Sequence, residues 1–288
     1  MASKSASLRH IEVSGGLFTE NILLRLRDKP DHLTIGKIES FIEKDTKLLR
    51  KQFEKKRDEI FKWCCDTWDD ISSIIEKISL EELMQQWLKP FFNQFGHELE
   101  EFVLNEENID DDNPLKDFKI RFQSKDSKNP FFHFVPENEN FKDKVKSNSQ
   151  NHPYHNICQQ FVNFNPEIKW LFLSNGRLLR ILTKYYHTYS TGYVQFDIEN
   201  IFANRDKKEF DALFAMIHQS RFMDTSKEKV FLIDLFKKQS SSEGVKIGDS
   251  LRFSVEKAIQ LLGNSLIQQN PEFLDEILLL RDNLSDFL

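Results

Sequence analysis

Apolar positions along this chain recur with a helical period, then a strand period, then a helical one again. From Ile38 through Phe41, Leu48, Phe53, Ile60, Cys64, Trp68 and Ile71 to Ile78, apolar residues fall mostly three or four apart. That spacing predicts a long helix with one buried stripe. Its opposite side carries Lys51, Glu54, Lys55, Arg57 and Asp58, a pattern typical of a solvated helix face. Ser79 followed by Glu82 is a capping box, and the helix it opens, with Leu83, Trp87, Leu88, Phe91 and Phe92, should end near Gly96. The period then shortens. Phe118, Ile120 and Phe122 alternate with Lys119 and Arg121, and FFHFV (131–135) is a second β-rich run.

The next block is the most legible. A helix over 153–164 leads into KWLFLSNGRLLRIL, two apolar runs joined by Asn175-Gly176. Asn and Gly accept the positive φ angles of a tight turn, so a hairpin is predicted with these two residues shaping it. YVQFDI supplies a further strand. From Asp206 onward the pattern is helical: FDALFAMIHQSRF, then KVFLIDLFKKQ, then a segment from Gly248 through Asn264, and a last helix at PEFLDEILLLRDNLSDFL. Residues 137–152 read as an exposed polar loop.

Composition narrows the class without naming a chemistry. In 288 residues there are 27 Phe but only nine Gly and eight Pro, which favours long helices over a loop-rich sandwich. No apolar run is long enough to cross a bilayer, and no secretion signal is visible at the start. Three Cys, two of them adjacent, make neither a disulfide framework nor a CxxC clamp, so a reducing cytoplasm is the expected setting. The net charge is −6, yet residues 97–112 hold eight acids and no Lys or Arg, leaving the rest of the chain at +2. Local rather than total charge decides phosphate contact, so nucleic acid is neither favoured nor excluded.

Several blocks, in order, resemble the N-terminal region of large fused type IIG-like restriction-modification methylases of prokaryotic anti-phage systems. They are SGGLFTENIL, LEELMQQWLKPFFNQFGHELE, HPYHNICQQFVNFNPEIKWLFLSNGRLLRIL, FDALFAMIHQSRF and GVKIGDSLRFSVEKAIQLLGNSLI. The resemblance implies a nuclease-like sheet and a DNA-handling partner. It does not extend to methylation. The Gly-rich turn for S-adenosylmethionine and the Asn-Pro-Pro-aromatic loop are both missing, and the four Asn-Pro pairs lack the second Pro. The chain would then be a subunit working with a separate methyltransferase, the product of a truncated gene, or a standalone N-terminal module.

A PD-(D/E)xK nuclease holds an Asp on one strand and a (D/E)xK triplet on the next, two carboxylates binding Mg²⁺ while the Lys assists an attacking water. Gln159 or Gln160 fits the helix that often follows. Asp117 is then the first acid, with Glu137 and Glu139 past the end of the second strand and no Lys in place. Alternatively Asp117-Phe118-Lys119 is itself the triplet, with Glu100 or Glu101 as the other carboxylate. Glu167-Ile168-Lys169 spells ExK but falls beyond the Gln helix. The candidate catalytic set is Asp117, Lys119 and Glu137, with Mg²⁺ the cofactor if the site cuts. Arg177, Arg180, Lys142 and Lys144 are the candidate phosphate contacts.

Other constellations have plainer readings. His152, His155 and Cys158 lack a fourth metal ligand, Cys64 and Cys65 pack beside Trp63 and Trp68, and Arg221 favours a helix C-terminus over DNA. Tyr185, Tyr186, Tyr189 and Tyr193 form a hairpin edge more readily than a base-stacking platform.

The expected fold is α+β: a helical region over 1–112, a nuclease-like core of about five strands over 113–205 with a degenerate PD-(D/E)xK site, and a helical region over 206–288, together forming one compact unit. The expected function is a nuclease-like or DNA-engaging module of a restriction-modification or related anti-phage system. The alternative is a non-catalytic scaffold that holds a partner through its sheet and C-terminal helices.

Overall fold

A computed structural model describes residues 7–41, 50–102, 122–143, 152–186, 191–223 and 230–269. Sheet and helices are both extensive, giving an α+β architecture around a seven-stranded mixed sheet of order β1-β7-β6-β5-β4-β3-β2. The strands are β1 (Ile11–Ser14), β2 (Leu99–Glu101), β3 (Phe122–Ser124), β4 (Phe131–Phe134), β5 (Trp170–Ser174), β6 (Leu178–Thr183) and β7 (Tyr193–Asp197). All neighbours are antiparallel except β4 and β5, which run parallel. A parallel pair needs a crossover, and α5 (Tyr154–Phe164) provides it.

Alternation along the strands sorts side chains to two faces. Trp170 and Phe172 of β5, with Leu179 and Ile181 of β6, enter the larger core. That core is closed by α1 (Glu20–Asp28), α2 (Arg50–Ser72), α4 (Lys89–Gln94), α6 (Ile198–Ala203) and α7 (Lys207–Ile217). Leu171, Leu173 and Leu182 point the other way, onto Ile157, Cys158, Phe161 and Val162 of α5.

Local signals explain most element ends. Thr19 caps α1 by accepting from the Ile22 amide, after a turn in which Gly15 and Gly16 both take φ +67. The Ser79/Glu82 capping box is complete and starts α3 (Leu80–Leu83). A π-helical turn, Met84–Leu88, separates α3 from α4. Pro90 has no N–H to return to the preceding turn, and the Lys89 amide instead reaches the Met84 carbonyl, which widens the helix by one residue. Buried Trp87 lies within this turn and donates its indole N–H to the Gly176 carbonyl at 2.9 Å.

The structure has more strands than the five expected, and two of them, β1 and β2, fall in the region read as helical. The C-terminal pattern also differs. Two expected helices are one, α8 (Leu232–Gln269), because the intervening Ser and Gly residues weaken a helix without the steric break that Pro imposes. The chain divides into two units, Met1–Ser241 and Ser242–Leu288. In the first, α8 buries Ile233, Phe236 and Ser240; in the second it exposes nine large apolar side chains, Leu251, Phe253 and Leu262 among them. Among the described residues no helix is long and apolar enough to cross a membrane.

Candidate nucleic-acid interface and catalytic positions

Of the expected catalytic residues, Asp117 and Lys119 lie outside the described residues, as does Lys144. Where a nuclease-like sheet would place its carboxylates, β3 presents Phe122, Gln123 and Ser124, and β4 presents Phe131, Phe132, His133 and Phe134. Glu100 sits on β2 directly opposite Gln123 and accepts from its Nε2 at 2.6 Å. Glu101 pairs across from Phe122.

Glu137 is drawn into a different structure. Its Oε2 accepts from Arg177 Nε at 3.1 Å, while Arg177 also reaches Glu199 at 2.7 Å and Glu76 at 3.0 Å. Partial burial opposes it, but Glu199 and Glu137 together hold the Arg177 pKa above its ordinary value. Asn175 completes the knot. Its Oδ1 accepts from the Arg177 and Leu178 amides, and its Nδ2 donates to the Glu137 and Glu139 carbonyls. Gly176 beside it has φ +87, and a Cβ there would stand 3.2 Å from both Leu83 methyls. The Arg177, Glu137 and Asn175 side chains therefore brace the β5–β6 turn.

Arg180 is buried rather than free to meet a phosphate. Strand register aligns Leu173, Arg180, Gln195 and Glu12 in one row across β5, β6, β7 and β1. The Gln195 amide bridges the two charges, its Oε1 accepting from Arg180 Nε and Nη2 and its Nε2 donating to Glu12. The guanidinium is stacked 3.9 Å from the Tyr193 ring centroid and 5.0 Å from that of Phe141. Burial lowers the Arg180 pKa to about 10. Its Nη1, and Nδ1 of the equally buried His155, have no hydrogen-bond partner among the described residues. Lys142 stands at the margin of this network, 56% exposed and 3.2 Å from Glu12. Partial burial opposes it, but hydrogen bonds from Tyr193 and Lys142 hold the Glu12 carboxyl below its ordinary range.

The remaining candidates resolve as structural. Gln159 donates to the Thr183 carbonyl and to Asn163, tying α5 to β6. The hydroxyls of Tyr185, Tyr186 and Tyr193 donate to Gly15, Asn163 and Glu12; Tyr189 lies outside the described residues. Burial pushes the Cys64, Cys65 and Cys158 thiols up, Cys65 to about 11, so none is a ready nucleophile. Arg221 is fully buried, stacked 3.7 Å from the Phe41 centroid with Nη1 donating to Ser40, and burial lowers its pKa to about 9.

One trio, His10, Asp206 and Glu209, brings potential ligand atoms within 4.8 Å of one another. It fits Mg²⁺ poorly. Both Glu209 oxygens already accept main-chain N–H groups, from Arg9 and His10 at 2.7 Å each. Asp206 caps α7 by accepting from the Glu209 amide. Arg27 stands 3.7 Å from Glu209. Hard cations need free carboxylate oxygens, and both of those on Glu209 are committed. Among the described residues the carboxylates expected at a nuclease centre do not converge.

No family model, curated protein or solved structure matches this chain.

Proposed function

We propose that this chain is a DNA-engaging module of a restriction-modification or related anti-phage system, built on a nuclease-like frame and working with a methyltransferase or another DNA-handling partner. The observation that carries the reading is the element order. A helix, α5, crosses to a strand parallel to its predecessor, an Asn-Gly turn returns as β6, and β7 leads into helices. This is the order in which the back half of a nuclease-like fold is assembled. That β3 and β4 carry no carboxylate, with Glu137 committed to Arg177, favours engagement over cleavage. If the module cuts, Asp117 and one of Glu100, Glu101 or Glu137 would hold Mg²⁺ while Lys119 assists the attacking water.

Fluorescence anisotropy of a labelled duplex titrated with the purified chain tests the proposal, with metal-dependent plasmid cleavage measured beside it. Binding that weakens steeply with salt is expected. Its absence at low salt overturns the reading, and metal-dependent cleavage lost in Asp117→Ala would move the emphasis from engagement to catalysis.

A scaffold that holds a protein partner is the second reading, and the nine exposed apolar side chains described on α8 beyond Ser241 favour it. A stable stoichiometric complex formed without DNA affinity would select it.

A further inference from the structure

Two chain segments two hundred residues apart meet in a surface concavity of about 610 Å³, and its lining is dominated by cations. Arg9 comes from the approach to β1; Arg205, Lys207 and Lys208 come from the entry to α7. The single lining carboxylate, Asp206, accepts from the Glu209 amide through Oδ1 as the cap of α7. Arg205 is held by Asp69, and Lys207 by Asp58 and Asp211. Arg9 and Lys208 are both exposed, and neither forms a close ion pair among the described residues, although the charge of Lys208 is felt at Asp28.

This convergence is braced from beneath. Glu209 is only 1% exposed, and its two oxygens clamp the Arg9 and His10 amides against α7. The clamp holds the Arg9 main chain beside the cations of the α7 entry. Gathering like charges costs free energy unless an anion neutralises them. The concavity is open, polar and too large for a chloride alone, and its two cations without a close ion-pair partner suit the oxygens of a phosphate group.

We propose that the concavity between Arg9 and the entry to α7 binds a phosphate group, with Arg9 and Lys208 as its direct contacts. The inference deepens the DNA-engaging reading, for which the phosphate belongs to a duplex backbone; a free phosphate or nucleotide would offer the same chemistry. It also replaces Arg177 and Arg180, which the fold uses internally, as the place where phosphate is met.

The test uses the full chain and three exposed-site variants, Arg9→Gln, Lys208→Gln and the double variant, with Lys77→Gln as a cation outside the concavity. Each phosphate contact contributes about 0.9 to the slope of log affinity against log salt, so near 0.1 M salt losing one costs about eight-fold. Expected are roughly eight-fold losses of duplex affinity in the single variants and about sixty-fold in the double variant, with a slope shallower by about 1.8 and Lys77→Gln unchanged. Duplex binding that all three variants retain overturns the site while leaving the DNA-engaging reading intact. If the wild-type chain binds no duplex, calorimetric titration with inorganic phosphate and with a nucleotide separates the two claims. Binding there that is lost in the double variant keeps the phosphate site and removes the DNA reading. Binding to none of the three probes removes both.

Discussion

Replacing Glu209 should destabilise the protein more than any surface carboxylate. Its oxygens accept from the Arg9 and His10 amides at 2.7 Å, and the side chain is 1% exposed. Hydrogen bonds to a charged acceptor contribute about 1.5–3 kcal/mol each, giving a gross loss of about 3–6 kcal/mol in Glu209→Ala. Two effects reduce it. Water can reach the freed amides at this surface segment, and removing the carboxylate also removes the cost of having buried it. Arg27 is not orphaned, because it also donates to Asp28 and to the Ser7 carbonyl. The net expectation is about 3 kcal/mol for Ala. For Gln it is about half, because the amide keeps one acceptor and turns a donor toward the second N–H.

Thermal and urea unfolding followed by circular dichroism measure this. For a domain of this size, about 3 kcal/mol corresponds to a fall in Tm of about 6–12 °C. Hydrogen exchange adds a local readout, since the Arg9 and His10 amides should lose protection in Glu209→Ala before the sheet does. Losses below about 0.5 kcal/mol in both variants, with unchanged exchange at those two amides, would refute the clamp.

Two further outcomes follow from buried polar groups. His97 is fully buried, its Nε2–H donating to the Ile217 carbonyl at 2.7 Å and its Nδ1 facing Ser124, and burial lowers its pKa from 6.5 to about 4. The unfolded chain therefore takes up this proton at a higher pH than the folded one. Stability should fall by about 3 kcal/mol between pH 6.5 and 4 from this group and level off below, and urea midpoints across that window should slope less in His97→Gln. Asn175→Ala removes four hydrogen bonds from the β5–β6 turn and should cost about 2–4 kcal/mol by urea denaturation, whereas a change under about 0.5 kcal/mol would show that Arg177 alone holds the turn.

What was legible in the sequence was local. The Ser79/Glu82 box and the Asn175-Gly176 hairpin both depend on neighbours a few residues apart. Strands β1 and β2 were hidden because each has only three or four residues and is specified by a distant partner, β7 for β1 and β3 for β2. The burial of Arg180 did leave a trace. It alternates with Leu178 and Leu182 and so shares their apolar strand face, a signal the expectation of a phosphate contact at Arg180 did not use. The Glu209 clamp left none, since a Glu in the first turn of a helix is commonplace. Nor could spacing bring Arg9 to Lys208; only the pairing of β1 with β7 and the packing of α1 on α7 do that.

The measurement that bears most directly on the proposed role is equilibrium binding of unmodified duplex DNA by the full chain from 50 to 200 mM salt. The account predicts retention at low salt and a log–log slope of at least about −1.8, the share assigned to Arg9 and Lys208. Undetectable binding at 50 mM salt, or affinity indifferent to salt, would contradict it.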